Sequence, residues 1–165
     1  MDDNQFTKYT IGKPELWLIN AAGAMGIDVS ALEHEVSNYF INHSISRHGI
    51  EKTEEERGQL PITDQDIASI PVIVKAPNYT VIGMKRKNES LIAYAKHFKC
   101  CTTIYLEEVL DSRKNKALRS KTMYKKMGLI TQEIFIKILS NNAHTDISNI
   151  KIVVGAGGNP GGEAV

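Results

Sequence analysis

Apolar and polar positions along the chain change period part-way. Lys13-Pro14-Glu15 opens a short apolar run from Leu16 to Met25, closed near Gly26; proline is tolerated in a first helical turn, so this predicts a short helix. Ser30 with Glu33 three residues on has capping-box spacing, which predicts a helix running to Arg47 or His48 and stopping at Gly49. On that helix Leu32, Val36, Tyr39, Phe40 and His43 share about a third of the circumference, with Arg47 one turn beyond His43. An imidazole and a guanidinium thus continue an apolar stripe. The polar stretch from Ile50 to Leu60, with Glu54, Glu55 and Glu56 in a row, reads as a connecting loop or frayed helix. Thr63-Asp64 caps a further short helix through Ile70, and Pro71 interrupts it. A second helical turn ends at Ala76-Pro77-Asn78, since a residue before proline disfavours helix.

From Tyr79 the period shortens to that of strands. Tyr79–Met84, Ser90–Phe98, Thr102–Leu110 and Ala117–Lys125 are runs rich in β-branched and aromatic residues, separated by hairpin-sized polar segments. They predict an antiparallel meander. Alternation puts Ile92, Tyr94, Lys96 and Phe98 on one face of the second run, and Leu118, Ser120, Thr122 and Tyr124 on one face of the fourth. Thr131 caps a last helix through Leu139, Ile150–Val154 suggests a short strand, and Gly155–Val165 is a glycine-rich tail expected to be disordered. The expected fold is α+β: N-terminal helices packed on a four-stranded antiparallel β-meander, followed by a C-terminal helix and flexible tail.

Composition narrows the function classes. With 165 residues, 42% hydrophobic and 24% charged, the chain is sized for one folded domain. No run approaches the roughly 18 apolar residues of a membrane span, and the start MDDNQF lacks the basic segment of a signal peptide. A soluble, cytoplasmic protein with no membrane partner is expected. Cys100 and Cys101 are adjacent, which suits reduced thiols and offers no metal-ligand spacing. Net charge is only +1, yet Arg113 to Lys126 carries Arg113, Lys114, Lys116, Arg119, Lys121, Lys125 and Lys126 without an acid, and Lys85-Arg86-Lys87 forms a second cluster. Such density is either a solvated face or a polyanion site. Glycine-rich nucleotide loops, zinc-binding words, EF-hand loops and nucleophile elbows are missing from the sequence.

Several words in order then resemble a known group. His43-Ser44-Ile45-Ser46-Arg47-His48-Gly49, the segment Leu60-Pro61-Ile62-Thr63-Asp64-Gln65-Asp66-Ile67, Ile70-Pro71, Ala76-Pro77-Asn78-Tyr79, Tyr94-Ala95-Lys96, Tyr105-Leu106-Glu107-Glu108-Val109 and Lys121-Thr122-Met123-Tyr124-Lys125 resemble the phage barnase/EndoU/colicin/RelE-like (BECR-fold) nucleases. The resemblance covers about residues 30 to 126. It implies a BECR-like nuclease domain over 30–126, with a helical extension over 1–29, another over 127–154 and the tail over 155–165. It also implies metal-independent cleavage of RNA.

Such cleavage needs a base for the 2′-hydroxyl proton, an acid for the leaving 5′-oxygen, and cations for the charged transition state. Histidine suits proton transfer because its ordinary pKa is near 6.5. His43 is the first candidate and His48 the second, although the two lie about 140° apart around an ideal helix; which is base and which is acid stays open. Lys96 and Arg47 are candidates for holding phosphate, Thr122 for donating to a phosphate oxygen, and Tyr124 for donating or stacking on a base. Arg119 and Lys121 add substrate-binding charge. Histidines and neighbouring carboxylates such as Glu35 lack a recognised ligand spacing, so no metal and no cofactor are expected. Single-stranded RNA is the expected partner, in a bacterial host cell or associated with a virion, with an inhibitor or phage structural protein as a further partner. Two other readings remain open: a noncatalytic RNA-binding module, and a phage structural or packaging accessory protein.

Overall fold

Four long strands dominate the molecule because each alternates apolar side chains between two buried layers. The computed structural model describes residues 7–48 and 58–155, with only the backbone of Arg47 and His48. The expected end of the second helix at Gly49, the acidic segment over 49–57 and the tail beyond Gly155 lie outside the described residues. In chain order the elements are β1 (Lys8–Gly12), α1 (Leu16–Gly23), β2 (His34–Ser37), α2 (Asn38–His48), α3 (Asp64–Ala68), α4 (Ile70–Lys75), β3 (Tyr79–Arg86), β4 (Glu89–His97), β5 (Cys101–Asp111), β6 (Lys116–Met127), α5 (Gln132–Ser140), β7 (Thr145–Asp146) and β8 (Lys151–Val154). No described helix is long and apolar enough to cross a membrane.

The strands β3 to β6 form the expected antiparallel meander, but it is the centre of a larger sheet. The order is β1-β2-β6-β5-β4-β3-β7, with β8 also on β3, making eight strands. Because β2 runs parallel to β6, the sheet is mixed. The four-stranded expectation is corrected for a physical reason. Both outer strands of a bare meander carry a row of unpaired backbone groups, and segments of two to five residues pair with them. Of these, β8 lies where Ile150–Val154 suggested a strand, whereas β1, β2 and β7 carry too few alternations to stand out in a sequence.

The second correction concerns residues 30–37. Ser30 does not cap a helix: its hydroxyl and amide both donate to Asp28 Oδ1, at 2.6 and 2.9 Å. Residues 34–37 are extended in β2, and α2 starts at Asn38, where Ser37 Oγ accepts from the Phe40 amide at 3.0 Å. Leu32, Val36 and Phe40 are nevertheless buried in one apolar cluster, as a stripe would have been. Their spacing satisfies two different backbones. The other caps agree with the sequence: Thr63 and Asp66 form a reciprocal capping box on α3, Pro71 sits in the first turn of α4, and Thr131 Oγ1 accepts from the Ile134 amide at 3.3 Å at the start of α5.

Helices cover both faces. On one, Leu18, Phe40, Ile73, Ile82, Ile92, Tyr94, Tyr105, Leu118 and Met123 pack together; on the other, Val81, Met84, Leu91, Ile104, Leu106 and Tyr124 pack with Phe135 and Leu139 of α5. Two irregularities reassign side chains between these layers. In β3 the register shifts between Ile82 and Met84 at Gly83, whose φ of +92° suits glycine. In β6 it shifts so that Ser120 pairs with Glu107 but Thr122 with Leu106, leaving Lys121 as the extra residue. Leu118, Ser120, Thr122 and Tyr124 therefore do not share one face as simple alternation predicts: Leu118 belongs to the first layer and Tyr124 to the second.

Candidate active site and a second polar cleft

Glu107 is a carboxylate on an inward position of a central strand, fully buried. A charge there requires partners. His34 Nδ1 lies 2.6 Å from Glu107 Oε2, and the Tyr94 hydroxyl donates to Oε1 at 2.7 Å. Burial and then the Glu107 charge push the Tyr94 hydroxyl well above its ordinary pKa, and the same causes act on Tyr105, so both phenols remain donors. His34 Nε2, Tyr105 OH and Ser120 Oγ are buried without a hydrogen-bond partner among the described residues. Ser120 is the register partner of Glu107 and, although its hydroxyl oxygen is buried, is among the residues lining a neighbouring cleft.

That cleft, of about 320 Å³, lies beside α2 and is lined by Ser37, Tyr39, Phe40, His43, Glu108, Arg119, Ser120 and Lys121. The cleft exists because β2 ends at Ser37 while β6 continues past it. Tyr39 stacks on the His43 ring, with centroids 6.0 Å apart and planes at 17°. Arg119 Nε donates to Glu35 Oε1 at 2.8 Å, and Lys121 Nζ lies 2.6 Å from Glu89 and 3.7 Å from Glu108. The cations here are paired with carboxylates. A guanidinium has five N–H donors and an ammonium three, so these contacts leave donors to offer an anion.

A second cleft, of about 350 Å³, lies beside α5 and is lined by Gln59, Arg86, Thr122, Tyr124, Lys126, Ile138, Asn141 and Asn142. It shares no lining residue with the first. Among the described residues its cations contact neutral oxygens only: Arg86 Nε donates to Thr145 Oγ1 at 3.4 Å and Lys126 Nζ to the Gly58 carbonyl at 3.5 Å. Burial pushes the Tyr124 hydroxyl up to about 12 against the opposing influence of Arg86.

The residues expected to act together are thus distributed. His43, Arg119 and Lys121 line the first cleft; Thr122 and Tyr124 line the second. Lys96 lines neither of these, and its ammonium donates at 2.7 Å to the carbonyl of Ala76, the C-cap of α4. His43, Lys96 and Thr122 are not brought together in one cleft: the β6 bulge turns Thr122 away and the α4 carbonyl engages Lys96. Side chains of Arg47 and His48 lie outside what is described. Of the basic run, Arg119, Lys121 and Lys125 are ion-paired, Lys125 with Asp66 at 2.8 Å, whereas Arg113, Lys114 and Lys116 are exposed at the β5–β6 hairpin. Among the described residues no group of three His, Cys, Asp or Glu side chains is placed to hold a metal ion.

Sequence reasoning missed His34, Glu107, Ser37, Ser120 and the roles of Arg86 and Lys126. For Glu107 a signal was present, since period-2 spacing puts it on the inward face with Tyr105. Nothing local marked His34 as its partner 73 residues away.

The chain matches, over residues 13–132, the family described as phage-Barnase-EndoU-ColicinE5/D-RelE like nuclease 3. It belongs to this nuclease family. The match begins at Lys13 and so includes α1, β2 and α2 along with the meander. Membership makes nucleic acid the substrate class, and places most of both clefts inside the nuclease domain. No curated protein and no solved structure matches the chain.

Proposed function

We propose that this family member is a metal-independent endoribonuclease that cleaves single-stranded RNA in the cleft beside α2, leaving a 2′,3′-cyclic phosphate. The observation that carries this is the presence of His43, Arg119 and Lys121 together in the lining of one cleft. An imidazole beside paired cations has the parts the reaction needs: a proton carrier, and donors for the oxygens of the transition state. The 2′-hydroxyl attacks the adjacent phosphorus, its proton passes to the base, and the 5′-oxygen leaves with a proton from the acid. His43 takes one of these proton roles. We assign the other to Glu108, a carboxylate lining the same cleft. Arg119 and Lys121 meet the non-bridging oxygens, and their carboxylate partners hold both side chains in position before substrate arrives.

The test incubates fluorescent single-stranded RNA with the full chain in EDTA and resolves the 3′ ends of the products. A control strand carries a single 2′-deoxy sugar at the cleaved position. Cyclic phosphate ends that persist in EDTA, fail at the deoxy sugar and vanish with folded His43→Ala are expected. Intact RNA across pH 5 to 9, or equal cleavage of the deoxy control, would sink the mechanism.

A further inference from the structure

The cleft beside α5 plays no part in the chemistry assigned to His43, yet its lining is the more strongly suited to an anion. Arg86 and Lys126 contribute two positive charges, and among the described residues no carboxylate lines it. Glu89, the register partner of Arg86, is engaged by Lys121 at 2.6 Å. Tyr124, 7% exposed, carries a hydroxyl with no hydrogen-bond partner among the described residues, and Gln59 Oε1 is likewise buried and unpartnered. Buried polar atoms in folded proteins are nearly always hydrogen-bonded. Two such atoms in a single cleft mark a place where a ligand's polar groups belong.

Their polarity says which groups. Arg86, Lys126, Thr122 and the Tyr124 hydroxyl offer donors, which suits a phosphate; Gln59 Oε1 is an acceptor and needs a donor such as a sugar hydroxyl or a base amino group. Asn141 and Asn142, at the C-terminal end of α5, supply amides that both donate and accept. The negative end of the α5 dipole disfavours an anion at the asparagine end, so the phosphate lies towards Arg86 and Lys126 and the sugar or base towards Asn141 and Asn142. A volume of about 350 Å³ is at the small end of ligand clefts, suited to one nucleotide unit.

We infer that the α5 cleft is a nucleotide-binding site, separate from the cleft that holds His43, in which Arg86, Lys126, Thr122 and Tyr124 bind a phosphate group and Gln59, Asn141 and Asn142 bind the attached sugar or base. The same chemistry serves a phosphodiester within a nucleic-acid strand and the terminal phosphate of a free nucleotide. The strand as source rests on the nuclease reading; the site itself does not.

Calorimetric titration of the full chain decides it, with adenosine 5′-monophosphate, a 2′-O-methyl dinucleoside monophosphate lacking terminal phosphates, and adenosine as probes. The proteins are wild type, Tyr124→Phe, Arg86→Gln and His43→Ala, each checked for an unchanged melting profile. Saturable binding of a phosphate-bearing probe, weakened at least tenfold by Arg86→Gln and several-fold by Tyr124→Phe but unaltered by His43→Ala, is expected. Binding of the dinucleoside assigns the site to a strand; binding of the monophosphate alone assigns it to free nucleotide. If neither phosphate-bearing probe binds at millimolar concentration, if adenosine binds equally well, or if both variants bind as wild type does, the site is rejected. Cleavage activity does not enter the readout, so this result and the test of His43 fail or succeed independently.

Discussion

The two clefts draw on the same basic strand, β6, and use its charges in opposite ways. Beside α2, Arg119 and Lys121 are each held by a carboxylate; beside α5, Lys126 and the neighbouring Arg86 contact, among the described residues, only neutral oxygens. Paired cations give a site little net attraction for an anion but a rigid geometry, which is what transition-state stabilisation requires. Cations without carboxylates give attraction, which is what binding requires. A basic run in a sequence therefore does not announce one surface. Its meaning is set residue by residue by the acids that other strands bring alongside.

The comparison is most strongly tested by removing what only the α2 cleft has. His43→Ala is expected to lower RNA cleavage by about 10²- to 10⁴-fold while leaving nucleotide affinity in calorimetry unchanged. Loss of both together would mean the clefts are not separate. Next in size is the buried carboxylate beneath the α2 cleft. Glu107→Leu strands His34 and Tyr94 and should cost about 3–5 kcal/mol in urea unfolding. A loss under about 1 kcal/mol would show that Glu107 is not held as a charged acceptor.

Alkaline unfolding sharpens the α5 side. The Tyr124 hydroxyl is raised from 10.0 to about 12 in the folded protein, so folding favours its protonated form. That contribution is fully present below pH 10 and is lost as pH rises through about 12. At one pKa unit per 1.36 kcal/mol it amounts to about 2 to 3 kcal/mol. Tyr124→Phe should flatten that part of the stability profile between pH 10 and 12, with the buried phenols Tyr94 and Tyr105 supplying what remains. An unaltered profile would contradict the burial of this hydroxyl. The smallest effect comes from making the first cleft resemble the second. Glu35→Gln releases Arg119, and in a His43→Ala background RNA affinity by fluorescence anisotropy should rise about two- to fivefold at low salt, the scale of a partly exposed ion pair. Weaker binding instead would mean that Glu35 positions Arg119 for the substrate.

How much of this was readable beforehand varies with distance along the chain. Strands β3 to β6, the caps Thr63 and Thr131 and the short helix after Lys13 follow from local patterns, and the structure has them where those patterns lie. His43 and the β6 cations were recognisable as chemistry-bearing residues by type. Their grouping was not, because Lys96 and Thr122 have the right chemistry and alternation but are directed elsewhere by a helix C-cap and a bulge.

By itself the sequence determined the alternation and capping that make four strands and their helices, together with the order of words that marks the nuclease family, since these depend on neighbours within a few residues. Only the tertiary structure decided that residues 34–37 are a strand, that Lys121 is a bulge which moves Thr122 and Tyr124 to the α5 side, and that His34 meets Glu107. Leu32, Val36 and Phe40 are buried equally well by a helix or by a strand leading into one, so local energy is nearly neutral there. The unpaired edge of β6 tips the balance, and that edge exists only once the sheet has formed.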